Sequence, residues 1–171
     1  MDHNILLKEI EFYGVRGIPL RWLESYLSSR YQCTTYNGVC SEYRLITCGV
    51  PQGSVLGPLL FLIYVNDLAQ VSNDLYTLMF ADDTNMFITG ANLMEVTNKL
   101  NVELEKVVYW LKINKLSLNV QKTHYMIFHP KGKKPIHDIS VCLDNYIISK
   151  VTECKFLGVI IDNKLTWKNH V

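Results

Sequence analysis

Two adjacent aspartates, Asp82 and Asp83, stand between two short apolar runs within residues 76–89. Runs of this length, rich in Phe, Met, Ile and Leu, suit buried strands, so the stretch predicts strand, tight turn, strand, with the carboxylates at the crest. Carboxylates held beside apolar strands need a positive partner. Mg²⁺ suits that need, because it takes one or two carboxylates together with substrate phosphates. The same pair also suits a plain solvated turn, where Asp bonds to its own backbone. A second candidate is residues 49–58, with three glycines and two prolines in ten positions. A glycine-rich turn feeding a helix can present backbone N–H groups to phosphate or base, although the Gly-Lys-Ser/Thr ending of a phosphate-binding P-loop is absent. It also reads as a plain structural loop.

The flanking elements are legible from their periodicity. Residues 2–13 predict a helix capped by Asp2, with Ile5, Leu6, Ile10 and Tyr13 in one stripe and Gly14 at its end. A second helix opens at Pro19, with Leu20, Leu23 and Leu27 on one face and Trp22 extending it. Residues 31–48 predict a hairpin around Asn37-Gly38, since both turn positions tolerate positive φ. Ser54 can cap a helix from Val55 to about Leu68, apolar nearly all round and therefore expected to be buried. Residues 92–113 form an amphipathic helix with Leu93, Val96, Leu100, Leu104, Val107 and Leu111 at helical spacing. A strand over 125–128, an exposed basic loop over 130–137, a hairpin around Asp144-Asn145 and a last strand over 155–162 complete the chain.

The 171 residues, 49% hydrophobic and 19% charged, fit one globular domain. No apolar run is long enough to span a membrane, and the first residues lack a signal peptide's pattern. The expectation is an intracellular protein. Five cysteines without Cys-x-x-Cys spacing support neither a disulfide framework nor a zinc ribbon, and His124 and His129 could be metal ligands but read more simply as strand or surface residues. The net charge of +1 hides an asymmetry. Residues 1–98 carry 5 basic against 10 acidic side chains, and residues 99–171 carry 12 lysines against 6 acidic ones. Lysines neutralise phosphates without reading sequence, so a basic later half beside an acidic pair suits a polyanion; a solvated lysine-rich face gives the same count.

Four motifs in order, Gly49-Val-Pro-Gln-Gly-Ser-Val-Leu-Gly-Pro58, Phe80-Ala81-Asp82-Asp83, Leu118-Asn-Val-Gln-Lys-Thr123 and Phe156-Leu157-Gly158-Val159, resemble the motif series of reverse transcriptases. The tail over 161–170 looks most like the jockey-type non-LTR retrotransposons. The resemblance covers nearly the whole chain. It implies an α+β polymerase palm, a ferredoxin-like split βαβ sheet with helices on one face, in an incomplete reverse transcriptase domain. Residues 1–68 match lower fingers and palm helices, 75–128 the palm with its acidic hairpin, and 139–171 the primer-grip region.

By the same resemblance, Asp82 and Asp83 are catalytic metal-binding carboxylates, for Mg²⁺ or Mn²⁺. Adjacent strand side chains point oppositely, so the two are not expected to grip one metal equally, and the resemblance favours Asp82 as the ligand. Pro51, Gln52, Gly53 and Ser54, with Phe80 and Ala81, contact template and incoming nucleotide. Lys122 helps pyrophosphate leave, and Phe156, Leu157, Gly158 and Val159 form the primer grip. The implied partners are an RNA template, a DNA primer and deoxynucleoside triphosphates, with no membrane, in a ribonucleoprotein of nucleus or cytoplasm.

The family's further metal-binding aspartate is expected just upstream of Met1, since Asp2 matches the segment that follows it. The expectation is therefore little or no polymerase activity from this polypeptide alone, and an exposed strand edge beside the acidic hairpin, an aggregation hazard. An alternative is a non-catalytic remnant of a mobile element that binds nucleic acid through its basic half. Under that alternative, reversing the charge of Lys131, Lys133 and Lys134 weakens RNA binding in a low-salt filter-binding assay; unchanged binding removes it.

Overall fold

In the computed structural model, which describes residues 1–129 and 139–170, Asp2 caps the first helix as its side chain predicts. Its carboxylate accepts from the N–H groups of Asn4 and Ile5 at the start of α1 (His3–Phe12). Gly14, at φ +92°, follows the end of that helix. The second helix, α2 (Ile18–Leu27), carries Pro19 in its first turn. Four two-residue strands follow: β1 (Tyr31–Gln32), β2 (Thr35–Tyr36), β3 (Val39–Cys40) and β4 (Arg44–Leu45). β2 and β3 pair across Asn37-Gly38, whose φ values of +48° and +78° are what a two-residue hairpin turn requires. β1 pairs with β4 further out.

The third helix, α3 (Leu56–Val65), is followed by a 3₁₀ turn over Asn66–Gln70, so the single helix expected as far as Leu68 changes its pitch. Nor is it buried all round. Leu60, Tyr64 and Val65 lie in the core, whereas Leu59 and Leu62 are about half exposed. A helix apolar on every side offers more surface than neighbours on one side can cover. α1 packs against both α2 and α3, with Leu6, Ile10, Leu27 and Tyr64 sealed from solvent. These elements, with residues 113–116, form one compact unit, residues 1–68 and 113–116.

Tyr64 carries the one polar group of that sealed set. Its hydroxyl donates to the carbonyl of Asn114 at 2.6 Å and accepts from the N–H of Asp2 at 3.1 Å. Lys115 then meets the Asp2 carboxylate at 2.6 Å. The ammonium of Lys115, followed by the Ile5 N–H, holds the Asp2 carboxyl below the usual range, while burial pushes the Tyr64 phenol up and keeps it a donor.

The second unit comprises residues 69–112 and 117–171. It contains the antiparallel pair β5 (Tyr76–Phe80) and β6 (Asp83–Phe87), the long helix α4 (Leu93–Ile113), and a 3₁₀ turn over Val120–Lys122. It continues with β7 (His124–Tyr125), β8 (Cys142–Leu143), β9 (Tyr146–Ile147), β10 (Ser149–Lys150), β11 (Glu153–Phe156) and β12 (Val159–Asp162). Leu104 of α4 packs with Val141, Leu143 and Ile148, and Met86, Leu100, Val120 and Tyr125 close around them. The hairpin around Asp144-Asn145 forms as expected, with Asp144 at φ +55°. The strand expected over 125–128 is shorter and starts at His124, where it runs parallel to β10. The last strand expected over 155–162 is instead the hairpin β11–β12. It turns at Leu157 and Gly158, both at positive φ (+47° and +88°).

Among the described residues the strands pair only two by two, in six separate ladders. The continuous split βαβ sheet implied by the resemblance is not formed by them, because most of these strands are only two residues long. Both outer edges of β5–β6 are unpaired among these strands, as are those of the other five ladders. The basic loop over 130–137, with Lys131, Lys133 and Lys134, lies outside the described residues. No helix among those described is long and apolar enough to cross a membrane.

A buried carboxylate fixes the entry to β5. Ser72 donates its hydroxyl proton to Glu103 of α4 at 2.7 Å and accepts from the N–H groups of Asp74 and Leu75. Lys106 reaches both Glu103 oxygens at 2.7 Å, and these two partners hold the Glu103 carboxyl below its ordinary value. Depressed carboxyl groups stabilise the fold above their unfolded values and lose that contribution as pH falls through the folded ones. The urea midpoint should therefore be level near neutrality and fall below about pH 4, less steeply for Glu103→Gln. Tyr64→Phe should cost about 1–3 kcal/mol at pH 7, because it removes the hydroxyl that bonds both the Asp2 N–H and the Asn114 carbonyl.

Candidate functional site

The register of β5–β6 places the acidic pair. Phe80 pairs with Asp83, and Ala81 and Asp82 form the two-residue turn. Pairing puts Tyr76, Leu78, Phe80, Asp83, Asn85 and Phe87 on one face and Thr77, Met79, Thr84 and Met86 on the other. Met86 joins the core of its unit. The opposite face is open: Tyr76 and Phe80 are more than 60% exposed, and Leu78 and Phe87 are exposed as well. The apolar strands are therefore not buried as their composition predicts, since a two-stranded ladder offers only one face to a core. Ala81 holds φ +51°, a conformation that costs a residue with a side chain about 1–2 kcal/mol.

Asp82 and Asp83 are both exposed, so water already solvates them and no cation is needed to offset burial. Among the described residues neither carboxylate has an ion pair or hydrogen bond. Two neighbouring hard-oxygen donors fit Mg²⁺ held jointly with a phosphate. They do not fit a metal caged by protein alone, and no cluster of three ligating side chains occurs among the described residues. His124 and His129 accordingly join no such cluster.

Lys122 ends a 3₁₀ turn that its own motif builds. Asn119 caps the turn by accepting from the Lys122 N–H, and the Thr123 hydroxyl donates to the Asn119 carbonyl at 2.9 Å. Val120 packs into the core, so the turn is anchored while Lys122 is exposed. Phe156 and Val159 form the closing pair of the β11–β12 hairpin, with Leu157 and Gly158 as its tip. Asp82, Asp83, Lys122 and residues 156–159 all belong to the second unit, and residues 51–54 to the first.

In that first unit, residues 51–54 form a turn closed by the Ser54 N–H donating to the Pro51 carbonyl at 3.2 Å. Gly53 sits at φ +77° in open space, so backbone conformation and not crowding requires glycine there. Gln52 is exposed. The Ser54 hydroxyl accepts from the Gly57 N–H at 3.1 Å, the capping role expected, with the helix beginning slightly later at Leu56. The turn is held from behind by contacts that sequence reasoning missed. Asp2 bridges to Cys48, the Gly49 N–H donates to the Met1 carbonyl, and His3 Nε2 lies 2.7 Å from the Gly49 carbonyl oxygen. No periodic signal links residues so far apart.

The family model described as "Reverse transcriptase (RNA-dependent DNA polymerase)" matches residues 1–161. The chain belongs to the reverse transcriptase family. Similar curated proteins include a probable RNA-directed DNA polymerase from transposon BS of Drosophila melanogaster, 30% identical over 94% of this chain. The RNA-directed DNA polymerase from mobile element jockey of Drosophila funebris is 29% identical over 87%, and a probable RNA-directed DNA polymerase from transposon X-element of Drosophila melanogaster 28% over 87%. The expected likeness to jockey-type elements is thus met. The chain spans only 16–18% of the length of these relatives. No solved structure matches it.

In this reverse transcriptase chain Gly57 is the tightest point behind the 51–54 turn. A Cβ there meets Ser54 Oγ at 3.0 Å and Val50 Cγ2 at 3.4 Å. Gly57→Ala should push Ser54 off its cap and cost about 0.5–2 kcal/mol. It should be strongly non-additive with Ser54→Ala in a double-mutant cycle of urea midpoints.

Proposed function

We propose that this chain is the nucleotidyl-transfer core of an RNA-directed DNA polymerase from a non-LTR retrotransposon. The observation that carries the reading is the exposed, unpaired Asp82–Asp83 crest on a hairpin of a reverse transcriptase family chain. Asp82 and Asp83 hold Mg²⁺, or Mn²⁺, against the triphosphate of an incoming deoxynucleotide, with Asp82 as the principal ligand. Bound metal supplies activation of the primer hydroxyl and charge stabilisation at the leaving oxygen in an in-line displacement.

The chain's own residues then do the positioning, which is most of the catalysis in such reactions. Ala81, strained at φ +51°, fixes the crest where Asp82 leaves the ladder. Lys122, held on its Asn119-capped turn, provides a positive charge and a proton for departing pyrophosphate. Residues 51–54 present a rigid turn to template and nucleotide, and the Leu157–Gly158 tip supports the primer terminus. In this reading residues 1–68 serve as lower fingers and palm helices, and residues 75–128 as palm. RNA template, DNA primer and deoxynucleoside triphosphates are the partners, within an intracellular ribonucleoprotein.

Two carboxylates are few ligands for two metal ions. The 171 residues expressed by themselves should therefore extend a primer on an RNA template weakly or not at all with Mg²⁺ or Mn²⁺; robust synthesis would contradict this. Within a full-length polymerase carrying this segment, Asp82→Asn should lower primer extension by at least about a hundredfold. Lys122→Ala should lower the single-turnover rate by about 10²-fold or more with template binding unchanged. Wild-type rates in the Asp82 variant would refute the assignment.

A further inference from the structure

Cys33 and Cys40 lie outside every motif used above, yet the hairpin register brings them together. Thr35 pairs with Cys40 in the β2–β3 ladder. The Ser41 N–H continues the ladder by donating to the Thr34 carbonyl at 2.9 Å, and the Thr34 N–H donates to the Ser41 hydroxyl. Alternation therefore puts Cys33, Thr35 and Cys40 on one face, with Cys33 diagonal to Cys40. Their sulfurs stand 3.4 Å apart, and the Thr35 hydroxyl lies 3.1 Å from the Cys40 sulfur.

We propose that Cys33 and Cys40 form a reversible disulfide, which makes the β2–β3 hairpin an oxidation site of this chain. A disulfide needs sulfurs about 2.05 Å apart, so closure requires a little over an ångström of movement at an exposed hairpin end. Cys40 is exposed and Cys33 half-buried. A shallow cleft of about 430 Å³, lined by Gln32, Cys33, Thr34, Ser41, Glu42 and Arg44, gives a small oxidant access. Hydrogen bonds from Thr35 and then Cys33 hold the Cys40 thiol below its ordinary value, which favours it as the attacking group. Cys154, by contrast, is pushed up by burial. Among the described residues, Cys33 and Cys40 form the one thiol–thiol contact.

The oxidant class is a low-molecular-weight disulfide such as oxidised glutathione. The Cys40 thiolate attacks one of its sulfurs and expels one glutathione thiolate. Cys33, giving up its proton, attacks the Cys40 sulfur of the mixed disulfide and expels the second. The protein loses two electrons and two protons, and one oxidised glutathione is reduced to two glutathione thiols.

Arg30 and Arg44 flank the pair with no Lys or Arg between, so trypsin releases both cysteines in one peptide, residues 31–44. The whole chain would be treated with oxidised glutathione at pH 7.5, folded or in urea, then acid-quenched, alkylated and mapped by mass spectrometry. The folded chain should yield peptide 31–44 without alkyl groups and lighter by two hydrogens, at least about tenfold faster than the unfolded chain. Cysteines 48, 142 and 154 should remain alkylated, and a dithiol should restore the reduced peptide. Cys33→Ser should instead accumulate a glutathione adduct on Cys40. Cross-linking no faster folded than unfolded, or stable glutathione adducts on both wild-type cysteines, would overturn the proposal.

Discussion

One buried hydroxyl ties the first unit together. Tyr64 brings a polar atom into the interior, and that atom is satisfied on both sides, by the Asp2 N–H and by the Asn114 carbonyl. Asp2 in turn caps α1, takes the ammonium of Lys115 and bridges to Cys48. Four segments distant in sequence are thus referred to a single point. The 51–54 turn starts only a few residues beyond that bridge and inherits its placement from it. A buried polar group of this kind contributes little net stability when satisfied, but its loss is expensive, which makes it a device for fixing one arrangement among many compact ones.

What could be read from the sequence was what depends on near neighbours. The Asp2 cap, the Asn37-Gly38 and Asp144-Asn145 turns, the Ser54 cap and the stripe of α4 each need only residues within a few positions. The β11–β12 hairpin also turns on near neighbours, since Leu157-Gly158 is a two-residue connection. It was obscured because the apolar residues 156–161 also read as one strand, interrupted only by a single glycine. Burial was the harder quantity. Hydropathy says what a side chain tolerates, and neighbours decide what it receives: Leu59 and Leu62 of α3 and Tyr76 and Phe80 of β5 are exposed despite their character.

The candidate site divides along the same line. The acidic crest, the capped turn under Lys122 and the 156–159 tip are each built locally, and each forms where its motif stands. Their support was not legible. The Ser72–Glu103–Lys106 cluster that steers the chain into β5 joins residues some thirty positions apart through a buried carboxylate. In the sequence, Glu103 is indistinguishable from any charged residue on a helix.

The pairing of strands in isolated twos bears on how the chain reaches this structure. Four of the ladders, β2–β3, β5–β6, β8–β9 and β11–β12, join strands adjacent along the chain through two-residue connections. Such ribbons assemble in about 1–10 μs with little loop entropy to overcome. The parallel rung between β7 and β10 is different: it can close only after the long intervening segment has been gathered in. The crest bearing Asp82 and Asp83 thus needs only near-neighbour pairing, whereas the rung joins residues far apart along the chain.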